Sequence, residues 1–345
     1  MEHKTIAIGA GWIAHQHAKA LQDLGVKIEA VYDVNSEKAA RFSDAFGARV
    51  VSDPTSAIGH VDMMHLFTPP SHRIEYAKPF MDAHIPIFIE KPIATTMNDA
   101  LFLYEYSKRT KTTMIVGFNH RYRRGYQLLN DAVASGQLGD PINIYVQRIG
   151  TGAGFRQRTL NETWRTDPKL VCGMSIESLS HDINMILPLV NNNIKSISAA
   201  VFGTVSTLPT YDNNANIIFR LTNGAIGSIQ SSWSSDLNFS VRGYIGTNGT
   251  AEIRGNGLWD FETFTMKTGD MSEPIVIDIG EKFSTTAHAS YVAINRHFID
   301  CIEGSASPLT PIEDGVNALH FSLAILKSDT EGSAIGWHQP LPLPH

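Results

Sequence analysis

Six residues, Gly9-Ala10-Gly11-Trp12-Ile13-Ala14, constrain this chain more than any other stretch. They follow the apolar run Thr5-Ile6-Ala7-Ile8 and open a segment, 12–24, with helical periodicity. A strand that turns through G-x-G-x-x-A into a helix builds a phosphate cradle. Gly9 permits the tight turn, Gly11 lets a pyrophosphate reach the backbone, and Ala14 lets helix and strand pack closely. The N–H groups at the helix start, around Trp12 and Ile13, and the positive end of its dipole then face the phosphates. Asp33 ends the next apolar run, Ile28 to Tyr32, near the spacing of about 20 residues at which a carboxylate meets the adenosine ribose. Its negative charge repels a 2′-phosphate and so favours NAD. Lys38 and Arg41 lie close downstream and leave NADP open.

Further apolar runs at Val61–Phe67, Ile85–Ile89 and Thr113–Val116 alternate with helical stretches at 36–46, 73–83 and 98–109. This rhythm predicts α/β architecture, a doubly wound parallel sheet with helical crossovers. Beyond it, 122–135 and 175–190 read as helices. From about 195 to 280 the chain becomes strand-rich, with turns at Thr222-Asn223-Gly224, Thr247-Asn248-Gly249 and Gly255-Asn256-Gly257. Two helices close the chain near 288–303 and 312–328. The expected plan is therefore a dinucleotide-binding domain over 1–121 and a C-terminal α+β domain over 122–345 with a large open, mostly antiparallel sheet.

At 345 residues the chain is long enough for two cores. A net charge of −6 argues against a nucleic-acid binder, which needs clustered Lys and Arg. No apolar run approaches the roughly 20 residues of a membrane span. Met1-Glu2-His3-Lys4 enters the first run directly, so a cytoplasmic protein is expected. Two cysteines provide no disulfide scaffold, and the histidines show no spacing typical of a metal site.

Two more motifs follow buried runs: Thr68-Pro69-Pro70-Ser71-His72, and Glu90-Lys91-Pro92. With the glycine loop, the two-domain order and the closing Thr310-Pro311-Ile312-Glu313-Asp314-Gly315, the chain resembles the glucose–fructose oxidoreductase / inositol dehydrogenase / rhizopine-catabolism (Gfo/Idh/MocA) superfamily over nearly its whole length. The resemblance implies an N-terminal Rossmann domain and a nicotinamide site flanked by Thr68, Pro69, Glu90, Lys91 and Asn119. In that site Lys91 binds or deprotonates a substrate hydroxyl, and Glu90 orients it. His72 either lines this pocket or begins the next helix.

The stretch Cys172-Gly173-Met174-Ser175-Ile176-Glu177-Ser178-Leu179-Ser180-His181-Asp182 carries the second set. Glu177 and His181, spaced i, i+4, would share a helix face, where a carboxylate fixes an imidazole tautomer for general-base work. The resembling proteins commonly carry Asp at the Glu177 position. Asp182 is read as a structural cap or a partner for Lys91. Arg121, Tyr122, Trp164 and Arg165 are expected to contact substrate.

The implied activity is an NAD(P)-dependent dehydrogenase acting on a secondary alcohol of a sugar, sugar derivative or inositol. The implied assembly is a homodimer or homotetramer built through the C-terminal sheet. An NAD-dependent glycoside hydrolase without net redox change, and a non-catalytic dinucleotide sensor, are the alternatives.

Overall fold

The computed structural model describes residues 3–152, 172–191, 193–206, 208, 210–338, 340 and 341. They form two compact units.

The first unit is the alternating one. Its elements are β1 (Lys4–Ile8), α1 (Trp12–Asp23), β2 (Lys27–Tyr32), α2 (Ser36–Phe46), β3 (Arg49–Val50), β4 (Met63–Leu66), α3 (Arg73–Asp82), β5 (Ile87–Ile89), α4 (Met97–Thr110) and β6 (Met114–Val116). The six strands are parallel in the order β3-β2-β1-β4-β5-β6. Ile6, Ile8, Val31, Met64, Leu66, Phe88 and Ile89 are buried, the continuous apolar strands of a sheet covered on both faces. The strand order reverses between β1 and β4, and ligands of such sheets bind outside the carboxyl ends of the strands at that reversal. Helix ends obey their local chemistry: Asn35 caps α2 by accepting from Lys38 N, and Gly47 ends it at φ 72°.

The second unit holds α5 (Arg124–Ala134), β7 (Pro141–Thr151), α6 (Gly173–Glu177), α7 (Leu179–Leu189) and seven strands: β8 (Ile194–Phe202), β9 (Asn214–Leu221), β10 (Ile226–Ser232), β11 (Ser234–Gly246), β12 (Gly249–Gly255), β13 (Phe261–Thr268) and β14 (Ile275–Glu281). The chain closes with α8 (Phe283–Ile302), α9 (Ile312–Glu331) and β15 (Ile335–Gly336). The nine strands run β14-β13-β12-β11-β7-β10-β9-β8-β15, antiparallel except for the β7–β10 pair. Alternating burial along β9 turns Ile217 and Phe219 inward and leaves Ile218 exposed, so one face is covered and one open. Among the described residues no helix is long and apolar enough to cross a membrane.

Three features depart from the sequence reading. The sheet does not begin at 195: β7 lies at its centre, between β11 and β10. Its alternation of Ile142, Ile144 and Val146 ends on Arg148, whose charge disguised an inward-facing position. The helix expected over 175–190 is broken at Ser178 into α6 and α7. The compact units are also not contiguous in sequence, because His288–Leu319 groups with Met1–Asn119. Tyr291, Ile294 and Phe298 of α8 are buried in that first unit, with Phe298 5.9 Å from Phe88.

Candidate functional site

In the first unit the cradle forms at the carboxyl end of β1. Gly9 sits at φ 96°, where a Cβ would lie 2.8 Å from the Phe67 carbonyl carbon beyond β4. Only glycine tolerates that backbone and that approach. Around Gly11 the reverse holds: a Cβ there would meet nothing within 4 Å among the described residues. Gly11 caps α1 without a side-chain bond, and the first turn carries no acidic residue. The space and the helix end are thus left for an external anion. Ala14 is fully buried, Ile13 half-buried, and Trp12 exposed beside the loop.

Asp33, at the end of β2, is half-buried and already employed. Its Oδ2 accepts the Ala10 N–H at 2.7 Å and its Oδ1 the Asn35 N–H at 2.8 Å. Each carboxylate oxygen keeps a lone pair for a further donor. Beyond β4, Thr68 Oγ1 is buried with no hydrogen-bond partner among the described residues, an orphan polar atom beside the cradle. Pro69 caps a short 3₁₀ turn over Pro70–His72, and His72 is exposed with its Nδ1 3.2 Å from Glu75. Of the two readings for His72, it sits where α3 begins. These observations fit a dinucleotide: an open glycine, uncapped amides, a half-buried carboxylate and an unsatisfied hydroxyl.

At the end of β5, Glu90 is buried and Lys91 half-buried. Glu90 Oε2 accepts the Lys91 N–H at 3.0 Å, and Oε1 lies 3.0 Å from His17 Nε2 on α1. Arg73, which the sequence reading passed over, is buried between the two motifs. Its Nε donates to the Thr68 carbonyl at 3.2 Å, and Nη1 reaches the carbonyls of Glu90 and Pro92. It clamps the loops after β4 and β5 together. Asn119 is buried and donates to Ser290 Oγ at 2.8 Å.

In the second unit Glu177 ends α6, and His181 lies in the first turn of α7; both are buried. The break at Ser178 means that their spacing alone does not set their faces. Below them lies an ion cluster absent from the sequence reading. Asp182 is 2.9 Å from Arg242 Nε and 3.1 Å from Arg148 Nη1, with all three side chains buried. Asp182 is therefore an anchor that ties α7 to β7 and β11. Arg148 also donates to Ser178 Oγ at 2.9 Å, at the break itself. Asp212 supports the other end, with Oδ2 accepting from Ser175 N at 2.9 Å and Ser175 Oγ at 2.7 Å. Burial raises its carboxyl pKa to about 6.

His120 stacks on His181, ring centroids 4.2 Å apart and 18° from parallel. Burial and the neighbouring His181 hold His120 neutral, well below the usual imidazole range. Arg121 is buried, its Nη1 3.4 Å from the Asn184 carbonyl, and Tyr122 is half-buried. Trp164 and Arg165 lie outside the described residues.

Two family models match the chain. GFO_IDH_MocA, described as an oxidoreductase family with an NAD-binding Rossmann fold, covers residues 4–118, and the GFO/IDH/MocA C-terminal domain covers 126–254. Glucose-6-phosphate 3-dehydrogenase of Bacillus subtilis is 27% identical over 246 residues, 68% of this chain and 69% of the relative. The scyllo-inositol 2-dehydrogenase (NAD(+)) of Bacillus subtilis is 24% identical over 348 residues, 97% of each. Among solved structures, the WlbA dehydrogenase of Bordetella pertussis, in complex with NADH and UDP-GlcNAcA, superposes with a TM-score of 0.83 at 20% identity, covering 99% of each chain. That likeness is one of fold.

Proposed function

The chain belongs to the GFO/IDH/MocA oxidoreductase family, with its NAD-binding Rossmann domain at residues 4–118, and from that premise we propose that it oxidises a secondary alcohol of a sugar, sugar derivative or inositol, or reduces the matching ketone. The observation that carries this reading is the alignment of strand ends in the first unit. β1, β4 and β5 are successive parallel neighbours, so the Gly9–Ala14 cradle, Thr68 and Lys91 follow one edge of the sheet. A cofactor cradle with a lysine beside it serves hydride chemistry, whereas a sensor requires only the cradle.

In this reading Gly9 to Ala14 hold the pyrophosphate and Asp33 the adenosine ribose. Asp33 supports NAD over NADP, since its charge opposes a 2′-phosphate. When bound, NAD⁺ accepts hydride at the nicotinamide C4. Lys91 donates a hydrogen bond to the substrate hydroxyl oxygen, and His181 takes the hydroxyl proton. Glu177 orients the imidazole, and Asn119, Arg121 and Tyr122 line the reacting groups. The names of the curated relatives support a polyol or sugar substrate. The open face of the nine-stranded sheet carries exposed Phe202, Ile218 and Ile226, and the reading places a second copy of the chain there.

The test is to mix the protein with NAD⁺ and a panel of polyols and sugars and follow NADH. NADH formation that Lys91→Ala abolishes supports the reading. Cleavage of nitrophenyl glycosides without net NADH, or tight NAD⁺ binding with neither reaction, overturns it.

A further inference from the structure

A buried hydrogen-bond chain runs through the core of the first unit and ends on Glu90. Thr5 Oγ1 is 2.8 Å from His65 Nδ1, and His65 Nε2 is 3.0 Å from Asn295 Oδ1. Asn295 Nδ2 is 2.9 Å from His17 Nδ1, and His17 Nε2 is 3.0 Å from Glu90 Oε1. Thr5, His17, His65 and Asn295 are all at 0% exposure, and Glu90 is at 4%.

Donor and acceptor accounting gives the chain one direction. Asn295 Nδ2 also donates to the Tyr291 carbonyl at 2.7 Å, which fixes the amide: reversed, it would set oxygen against oxygen. The remaining amide hydrogen faces His17 Nδ1, which must accept. The His17 proton therefore sits on Nε2 and points at Glu90. A second ring proton on Nδ1 would point at the amide N–H. On the other side Asn295 Oδ1 requires an Nε2–H on His65, whose Nδ1 then accepts from Thr5. Burial and the nearby His17 push the His65 pKa down to about 3, in keeping with a neutral ring. Thr5 Oγ1 spends its single proton on His65 Nδ1, so the chain ends inside the sheet.

We propose that Asn295 and His65 lock His17 as its neutral Nε2–H tautomer, so that His17 holds Glu90 as a charged acceptor that positions Lys91 and favours the oxidised, positively charged nicotinamide. Had His17 been free to protonate, it would have cancelled the Glu90 charge. Gly117 makes room for this carboxylate, since a Cβ there would lie 2.5 Å from Oε1. Among the described residues, Arg73 holds the Glu90 carbonyl, the Lys91 backbone N–H donates to Glu90 Oε2, and the Tyr291 ring lies 4.9 Å from His17. In an apolar setting the anion is costly unless fully hydrogen-bonded, which gives the chain its purpose. His17, His65 and Asn295 are thus positioning residues, and their role toward the nicotinamide rests on the dehydrogenase reading.

The experiment has two arms. Infrared difference spectra of wild type against Glu90→Gln report whether Glu90 is ionised, without turnover. Titrations with NAD⁺ and NADH give the ratio of their affinities. Wild type should show no protonated Glu90 band at neutral pH. His17→Leu should gain that band and shift the affinity ratio toward NADH by about tenfold or more. His17→Gln, which keeps a donor to Glu90 and an acceptor for Asn295, should restore both. Should His17→Leu not fold, Asn295→Leu tests the same lock, because it removes the amide that fixes the His17 tautomer and should likewise shift the affinity ratio toward NADH. A folded His17→Leu with unchanged band and ratio, or a folded Asn295→Leu with unchanged ratio, overturns the proposal. Failure of wild type to bind either nucleotide overturns the dehydrogenase reading instead, while the infrared arm still decides the tautomer lock.

Discussion

Asp33 Oδ2 accepts the backbone N–H of Ala10 at 2.7 Å, so the residue proposed to hold the ribose also shapes the phosphate loop. The two roles separate by substitution. Asp33→Asn keeps an acceptor for the Ala10 N–H, gives up the Asn35 N–H and loses the charge, so NADP⁺ should gain on NAD⁺ by about tenfold or more. Asp33→Ala releases the loop as well and should weaken both cofactors. Titration of each variant with both nucleotides checks this, and unchanged selectivity in Asp33→Asn contradicts it.

The two loop glycines predict opposite phenotypes. Gly9→Ala places a Cβ against Phe67 at φ 96° and should cost at least about 2 kcal/mol of stability. Gly11→Ala meets open space, so denaturant unfolding should stay near wild type while affinity for the dinucleotide falls.

Removing the anion beneath α7 strands two guanidiniums. Asp182→Ala should destabilise the protein by about 3–5 kcal/mol, because Arg148 and Arg242 are then buried without a counter-charge. Glu177→Gln should leave the unfolding midpoint nearly unchanged and lower turnover. Chemical denaturation of both variants, with activity measured in parallel, separates anchor from catalyst.

Asp212 gives a signed pH dependence. Its folded pKa, about 6, lies above the ordinary 3.8, so the folded state holds that proton more tightly than the unfolded chain. The contribution favours the fold below about 3.8 and is lost as pH rises through about 6, a swing of about 3 kcal/mol. Asp212→Asn keeps the acceptor for Ser175 and should flatten this part of the stability profile. A variant profile identical to wild type contradicts the assignment.

What could be read from sequence, and what could not, follows from distance along the chain. The glycine loop, the strand–helix alternation and the Glu90-Lys91 turn are local demands of backbone geometry, and the structure shows each where its residues stand. The partners that support them are remote. Arg242 meets Asp182 across 60 residues, and Asn295 meets His17 across 278. The break at Ser178 is likewise flanked by remote partners, Arg148 on Ser178 and Asp212 on Ser175. A spacing rule for Glu177 and His181 carries no information about such braces.

Hydride transfer from substrate to nicotinamide carries an isotopic label with it. Incubated with NAD⁺ and a panel of polyols and sugars deuterated at carbon, the protein should deliver deuterium to C4 of the nicotinamide from the substrate it oxidises, and Lys91→Ala should not. Saturable NAD⁺ binding with no deuterium in the nicotinamide across the panel would contradict hydride transfer.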